Sequence, residues 1–257
     1  MTTIKHKRIT RPGQLGDEFT GDDGLGMYRE GKAYTVEDCI IDLSDCDIDD
    51  VDEAGAVTWG ASATFRRCVI RGAGKLFLCG SGDEHKRDAE RDKRVQFFDC
   101  ILEDGGRRFP EVQDGMHVQM KNCLIRNWGL PSRFDTRSFG AWAHKGGRIE
   151  AVDCVFWQDK FLRPVGQFVT DIANHIGWAV SNYGIASLFR GTTYLPGVCR
   201  GLMAGKDGEV SAVNCYRNHR WIRLEGRGSA MMDETDAKIM IVNLQTMAAE
   251  LDGRLPK

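Results

Sequence analysis

The sequence predicts an all-β protein organised as a single parallel β-helix, in which short strands of successive coils stack on one another. Three observations support this prediction. A strand pattern centred on a cysteine recurs along the 257 residues, the repeating units contain no amphipathic helix, and 30 glycines against six prolines favour many short turns. The 42% hydrophobic content is enough to bury a core inside such a stack.

Each repeat reads as a polar bend residue, usually Asp or Asn, followed by a cysteine and an aliphatic pair, as in "VEDCII" at 36–41 and "MKNCLI" at 120–125. The recurring cysteines are Cys39, Cys68, Cys100, Cys123, Cys154 and Cys215. They are separated by 23 to 32 residues, except for a last gap of 61 residues, which corresponds to about two periods. Cysteine is small and apolar, so we expect an internal ladder of buried free thiols. No CxxC or HxxxH spacing supports a zinc site.

The predicted boundaries are an N-terminal arm over residues 1–30, the β-helix over 31–230, and a C-terminal helix and tail over 231–257. Residues 169–190 break the repeat and fit either a helix or a pair of strands. Asp233 or Thr235 can cap the C-terminal helix, and Gly253 should end it. Its apolar residues recur at helical spacing, namely Ala237, Met240, Leu244, Met247 and Leu251. We expect this stripe to plug an open end of the β-helix or to form an oligomer contact.

The overall charge excludes a generally basic binding protein. Lys and Arg number 35 against 37 Asp and Glu, so neither nucleic acid nor a membrane surface is an expected partner. No apolar run approaches the ~18 residues of a spanning helix. The N-terminus has basic residues but no apolar segment of a secretory signal, so we expect synthesis and retention in the cytoplasm, or release within a virion. Secretion is expected only if a leader has been trimmed.

A longer motif resembles a known enzyme family. The stretch that begins "GKLFLCGSGDEHKRD" and continues through "RRFPEVQDGMHVQMKNCLIRNWG", followed by "SFGAWAHKGGRIEAVDCVFWQ", resembles the pectate lyases, which fold as right-handed parallel β-helices. The resemblance covers residues 34–157, and its most specific part is "RFP…GMHV…NC…NW". It implies a polysaccharide lyase that cleaves an acidic glycan by β-elimination with the help of Ca²⁺.

That chemistry sets clear requirements. A proton must leave the carbon next to the uronate carboxylate, and the glycosidic oxygen must leave the adjacent carbon. The site needs Ca²⁺ held by Asp and Glu, a base, and cations that stabilise the developing enolate. An acidic cluster and a basic cluster should therefore face one groove.

The resemblance assigns two catalytic residues. Arg108 of "RFP" takes the position of the family's general base, and Lys75 of "GKLFL" takes that of its substrate-binding lysine. Arginine holds its proton too tightly to be a base in isolation, so this role is only what the resemblance implies. The second arginine of the family motif is replaced by Gln113, which removes one contact with a substrate carboxylate.

The calcium ligands implied by the resemblance are Asp22, Asp23 and Glu53, with Asp52 beside the last. The family's further carboxylate, four residues after Glu53, is Val57 here, so the metal site is incomplete. A solvated acidic loop is the alternative interpretation of residues 47–53.

Other residues have both a structural and a functional interpretation. His117 lies in the motif, but the family implies a packing role behind the groove. Trp128, Trp142 and Trp157 either stack sugar rings or pack between coils.

Two classes of function remain open after these observations. The first is the lyase. The second is a non-catalytic phage virion protein on a lyase-derived scaffold, such as a capsid decoration protein or a component of the tail or tail spike. It would contact other virion proteins or form a homo-oligomer. Fold alone does not choose between the two classes.

Overall fold

The computed structural model describes residues 1–16, 19, 22–46, 51–81, 87–128, 139–159, 199–218, 222–226 and 231–256. In chain order, its strands are β1 Thr2–Lys5, β2 Arg8–Ile9, β3 Leu25–Met27, β4 Ala33–Glu37, β5 Ile40–Asp42, β6 Glu53–Val57, β7 Ser62–Arg66, β8 Val69–Arg71, β9 Lys75–Cys79, β10 Arg94–Phe98, β11 Ile101–Gly105, β12 Glu111–Val112, β13 His117–Lys121, β14 Leu124–Trp128, β15 Phe139–Ala143, β16 Arg148–Val152, β17 Val155–Trp157, β18 Cys199–Ala204, β19 Glu209–Val213, β20 Tyr216–Arg217 and β21 Ile222–Leu224. The helices are α1 Arg87–Glu90, between β9 and β10, and α2 Glu234–Arg254.

These strands form three parallel sheets of seven strands each within the described residues. The first sheet takes β1 and every third strand up to β19, the second runs from β2 to β20, and the third from β3 to β21. Each coil supplies one strand to each sheet, so the predicted parallel β-helix is confirmed. The first 30 residues, predicted as an arm, contain the first strand of each sheet.

The polar bend residues of the repeat form a ladder at the corner between the first and second sheets. This corner ladder consists of Asp38, Arg67, Asp99, Asn122, Asp153 and Asn214, with φ between +49° and +54°. Asp and Asn tolerate this left-handed conformation better than other residues with a side chain, which explains their recurrence. The amide of Asn122 donates to the carboxylate of Asp99, and that of Asn214 to the carboxylate of Asp153.

The cysteine that follows each bend residue points into the core. All six recurring cysteines are buried free thiols, which confirms the predicted internal ladder. Cys123 shows the pattern, because its Sγ donates to the carbonyl of Lys121 at 3.3 Å and to that of Phe97 in the preceding coil at 3.4 Å. Beside the ladder, the ring of Phe65 stacks on that of Phe97, and Phe77 meets both edge-on.

The 61-residue gap between Cys154 and Cys215 is one coil and not two. Strand β16 pairs directly with β19, and β17 with β20, so the two cysteines lie in adjacent coils. The additional length lies between β17 and β18. The segment 169–190, predicted as a helix or two strands, belongs to this interval and lies outside the described residues.

Helix α2 covers the flank of the β-helix. Its apolar stripe is buried, as predicted, against a row of side chains on the outward face of the second sheet, namely Ile40, Val69, Ile101, Leu124 and Val155. The 21 residues of α2 span about 31 Å, and six strand spacings cover about 29 Å, so the helix runs along nearly the whole stack. The stripe therefore neither plugs an open end nor forms an oligomer contact, because it is already buried on its own chain.

The ends of α2 have local causes. The side chain of Asp233 accepts from the N–H of Asp236 at 2.9 Å, which confirms the predicted cap. Gly253 does not end the helix, which continues to Arg254. Leu255 is extended because it precedes Pro256, and proline disfavours a helical residue before it.

Candidate functional site

The candidate site lies on the third sheet, where charged side chains of successive coils are in register. Glu53 of β6 pairs with Lys75 of β9, and Lys75 forms the next bridge with Arg107. Strand spacing in a sheet is about 4.8 Å, so an acid and two cations follow one another at short intervals. We call the eight residues Asp23, Asp52, Glu53, Lys75, Arg107, Arg108, Glu111 and His144 the charged face.

Three carboxylates form an acidic triad at one end of the charged face. One oxygen from each of Asp23, Asp52 and Glu53 lies within 4.8 Å of the others. Asp23 and Glu53 are only 4% and 2% exposed, and Asp23 accepts from the N–H of Glu53 at 2.9 Å. Burial raises the pKa of Asp23 to about 7, against the opposing charge of Lys75. A site with this set of hard oxygen donors fits Ca²⁺.

The triad differs from the predicted ligand set by one residue. Asp22 is exposed and outside the triad, and Asp52 occupies the third position. Asp22 does contribute its backbone, because its carbonyl accepts from the N–H of Asp52 at 2.9 Å. Val57 is fully buried in the core, so no fourth carboxylate arises at that position.

The cations of the charged face are paired with the same carboxylates. Lys75 forms an ion pair with Asp52, and Arg108 with Glu53. A second ion pair joins Nε of Arg108 to Oε2 of Glu111 at 2.7 Å. The structure therefore brings together the predicted catalytic pair Arg108 and Lys75 with the predicted metal ligands Asp23 and Glu53. A metal ion or an anionic ligand that binds here must exchange partners with them.

Glu111 is the residue around which the rest of the charged face is arranged. Its Oε1 lies 2.9 Å from Nε2 of His144, and its Oε2 lies 3.8 Å from the guanidinium of Arg107. Burial alone would raise its pKa, but the hydrogen bond with His144 and the charges of Arg108 and Arg107 lower the pKa to about 2. Glu111 is thus a carboxylate at any working pH.

The backbone of Arg108 explains how two consecutive arginines reach one carboxylate. Successive residues of a regular strand point to opposite faces of the sheet. Arg108 has φ +65°, a left-handed conformation that few long side chains adopt, and this breaks the alternation. The carbonyls of Arg107 and Arg108 both accept hydrogen bonds from β9, at 2.8 Å from the N–H groups of Leu76 and Phe77, so the strained turn is fixed.

Glu111 and His144 were missed by sequence reasoning. Glu111 lies three residues after Arg108, inside the motif, but a single glutamate there carries no spacing signal. His144 belongs to the next coil, directly after β15, and its ring stacks on that of Trp142 at 4.0 Å with an angle of 6°. Only the register between coils joins the two.

An exposed aromatic pair was missed as well. Tyr28 directly follows β3, and Trp59 is the second residue after β6. Their ring centroids are 5.5 Å apart, and Trp59 is 43% exposed. The ring of Tyr28 lies against Gly26, where a Cβ atom would approach it to 2.5 Å. Trp59 has φ +57°, and its N–H donates to buried Glu90 at 2.7 Å. We call Tyr28 and Trp59 the aromatic platform.

The predicted aromatic candidates have different positions. Trp128 is buried and meets Phe156 edge-on, so it packs in the core. Trp157 stacks on Tyr216, and its indole N–H donates to Asp159 at 2.8 Å. Trp142 is the only one of the three that contacts the charged face, through His144.

Two further residues of the motif do not belong to the charged face. Gln113, which replaces an arginine of the resembled family, is buried and donates to the carbonyl of Gly80 at 3.1 Å. His117 is not behind the charged face but on the first sheet, in register with Arg94 and Arg148. Burial and then the charge of Arg94 lower the pKa of His117.

Comparison with known proteins finds similarity among solved structures. Neither a protein-family model nor a curated protein matches the chain. Among solved structures, the chain is similar to the thermostable pectate lyase PL 47, with a TM-score of 0.46 and 15% sequence identity. The match covers 61% of this chain and 44% of the other, so this chain spans less than half of that lyase. The β-helix itself rests on the strand pairing described above.

Within the part of the chain that the structure describes, no helix could span a membrane. Neither α1 nor α2 combines the length and apolar character that crossing a bilayer requires.

Proposed function

We propose that the charged face binds a segment of an acidic polysaccharide and cleaves it by β-elimination. The observation that carries this proposal is the interleaving of three cations with four carboxylates on one sheet, with an imidazole in contact. A ligand that carries a bound cation beside its own anionic groups would fit this arrangement. A uronate polymer with bound Ca²⁺ is such a ligand, because each sugar carries a carboxylate that the metal ion and cationic side chains share.

The bound polysaccharide would lie parallel to the axis of the β-helix, across successive coils. Lys75 and Arg107 lie in consecutive coils, about 4.8 Å apart, and a sugar unit has a similar length. Successive uronate carboxylates could then meet successive cations. The aromatic platform, at the edge of the same sheet, offers a flat apolar surface for the C–H face of a pyranose ring.

The acidic triad would hold Ca²⁺ next to these cations. The ion would supply charge neutralisation of the uronate carboxylate, which makes the neighbouring C–H more acidic. Asp23, Asp52 and Glu53 would have to exchange Lys75 and Arg108 for the ion. Those two cations would then be available to the substrate.

Arg108 and His144 would have different roles in the reaction. Arg108 contacts two carboxylates and keeps its proton, so it suits the enolate oxygen better than the proton transfer. His144 is the better acceptor for the proton, and Glu111 would stabilise the imidazolium that forms. The electron pair of the C–H bond becomes the new C=C bond. The C–O bond to the leaving sugar breaks, and that oxygen takes a proton from water. The hydroxide that remains takes the proton from His144, which restores the neutral imidazole.

A second candidate is binding without cleavage, as in a virion protein that only docks on a glycan. The arrangement at Gln113 favours this candidate, because its side chain is bonded to Gly80 and replaces an arginine that the resembled family uses for the substrate. The ion pairs of Arg108 with Glu53 and Glu111 also favour binding without cleavage.

Ultraviolet absorbance of the unsaturated product separates the two candidates. Polygalacturonate and alginate, each incubated with the protein and Ca²⁺, should give a rising signal with the native chain and none with Arg108→Gln or His144→Asn. The matched control is Arg94→Gln, on the exposed face of the first sheet, which should keep full activity. Absence of product from both polymers, together with retained binding of either, would establish the non-catalytic candidate.

A further inference from the structure

An open groove lies on the opposite side of the β-helix from the charged face. It encloses about 470 Å³ between the corner ladder and helix α2. Its floor consists of four consecutive members of the ladder, Asp99, Asn122, Asp153 and Asn214. Met232 and Met240 form one wall, and the side chains of Arg66, Phe98 and Lys121, at the ends of β7, β10 and β13, form the other.

The floor presents hydrogen-bonding groups at regular intervals. Its four members belong to four successive coils, so they span about 14 Å, close to the length of three sugar units. Each amide donates to the carboxylate of the coil before it, from Asn122 to Asp99 and from Asn214 to Asp153. A carboxylate has two oxygens and about four acceptor positions, and the amide oxygens are further acceptors. The floor can therefore accept hydrogen bonds from several ligand hydroxyls.

The walls provide apolar surface. The guanidinium of Arg66 lies 4.4 Å from the ring centroid of Phe98, so the two form one continuous wall. Met232 and Met240 also line the groove, although they are only 9% and 8% exposed, and methionine side chains adapt easily to irregular shapes. C–H faces of a sugar suit such walls, while its hydroxyls suit the floor.

The charge of the groove selects among ligands. Two carboxylates, from Asp99 and Asp153, are balanced by Arg66 and Lys121. A polyanion would meet the two carboxylates of the floor directly, and this repulsion is absent for a neutral ligand. The left-handed turn explains why Asp and Asn occur in the ladder, but it does not explain an open groove of this length beside them.

We propose that this groove is a second carbohydrate site, which takes a neutral oligosaccharide of about three sugar units lying along the corner ladder. It is separate from the charged face and does not depend on lyase activity. A glycan bound here would hold the protein on a polysaccharide matrix while the third sheet stays accessible.

The test is an NMR titration of the ¹⁵N-labelled full chain with maltotriose, cellotriose and chitotriose, each up to millimolar concentration. The side-chain amide signals of Asn122 and Asn214 should shift with at least one of them. The double variant Asp99→Asn and Asp153→Asn keeps residues that favour the left-handed turn but removes the charged acceptors. It should weaken binding by about tenfold or more, because each lost charged hydrogen bond has an effect of this order.

The matched control is Asp38→Asn, in the same ladder but outside the groove, and it should bind like the native chain. Three results would overturn the proposal. They are the absence of any shift with all three trisaccharides, equal affinity of the native and doubly substituted chains, and a larger shift with trigalacturonate than with the neutral ligands. Thermal unfolding of each variant checks that the fold is retained.

Discussion

Glu111 is buried between the consecutive residues Arg107 and Arg108 of its own segment and His144 of the next coil. A buried carboxylate is tolerated only with such partners. The other end of the charged face differs, because among the described residues Asp23 accepts its hydrogen bond from the backbone N–H of Glu53 and not from a cation, and burial raises its pKa to about 7. The two acids therefore respond to pH in opposite ways.

Glu111→Gln should destabilise the fold at neutral pH. The pKa of Glu111 falls from an ordinary 4.5 to about 2, so its contribution is present above pH 4.5 and is lost as the pH falls towards 2. The free energy of unfolding in urea should drop by about 3 kcal/mol at pH 7 and by much less at pH 3. Glu209→Gln, at an exposed ion pair with Arg148, is the control and should change it by less than ~0.5 kcal/mol. An equal loss for Glu111→Gln at both pH values would contradict the account.

Asp23→Asn should change the free energy of unfolding in the opposite direction, as an increase at high pH. The pKa of Asp23 is raised from 3.8 to about 7, so the folded state binds its proton more tightly than the unfolded state does between these values. Stability from this group therefore falls as the pH rises from 3.8 to 7. The variant keeps the acceptor for the N–H of Glu53, and should match the native chain near pH 4 but exceed its unfolding free energy at pH 8.

At pH 8, Ca²⁺ should make the native chain more stable than Asp23→Asn, the reverse of the order expected without the ion. Added Ca²⁺ should raise the melting temperature of the native chain and of Asp22→Asn, which lies outside the acidic triad, but not that of Asp23→Asn. A calcium response of the same size in all three chains would exclude the triad as the binding site.

At the scale of elements, the structure shows which patterns in the sequence were sufficient. The cysteine ladder and the stripe of α2 were predictable because each depends on a local period. The end of α2 at Arg254 was not predictable, because a glycine does not always end a helix. The single long coil before Cys215 was not predictable either, because a gap of 61 residues fits one long coil as well as two ordinary ones. The position of α2 on the flank depends on the row from Ile40 to Val155, whose members are about 30 residues apart in the chain.

Leu244→Ala tests this packing of α2. Leu244 is buried against the second sheet, and its truncation leaves a cavity that should cost about 2–4 kcal/mol of unfolding free energy. Val242→Ala, on the exposed side of the same helix, is the control and should change it by less than ~0.5 kcal/mol. Chemical denaturation measures both. Similar losses for the two variants would mean that α2 does not rest on this face.

At the scale of the whole molecule, the register of the β-helix assembles the charged face. The motif resemblance predicted Lys75, Arg108, Asp23 and Glu53 as site residues, and the structure brings all four together. It did not give Glu111 or His144, because these two meet only through the register of neighbouring coils. The aromatic platform was hidden for a related reason, since Trp59 and Gly60 indicate only a turn, and the contact of Trp59 with Tyr28 depends on the neighbouring coil.

The measurement that tests the central claim most directly is calorimetric binding of trigalacturonate in the presence of Ca²⁺. The native chain and Arg94→Gln should bind it with equal affinity, whereas Lys75→Gln and Arg108→Gln should each weaken binding by about tenfold or more, because a charged hydrogen bond to the ligand is lost. Unchanged affinity in both charged-face variants, with the fold intact, would show that the acidic glycan does not bind at the charged face.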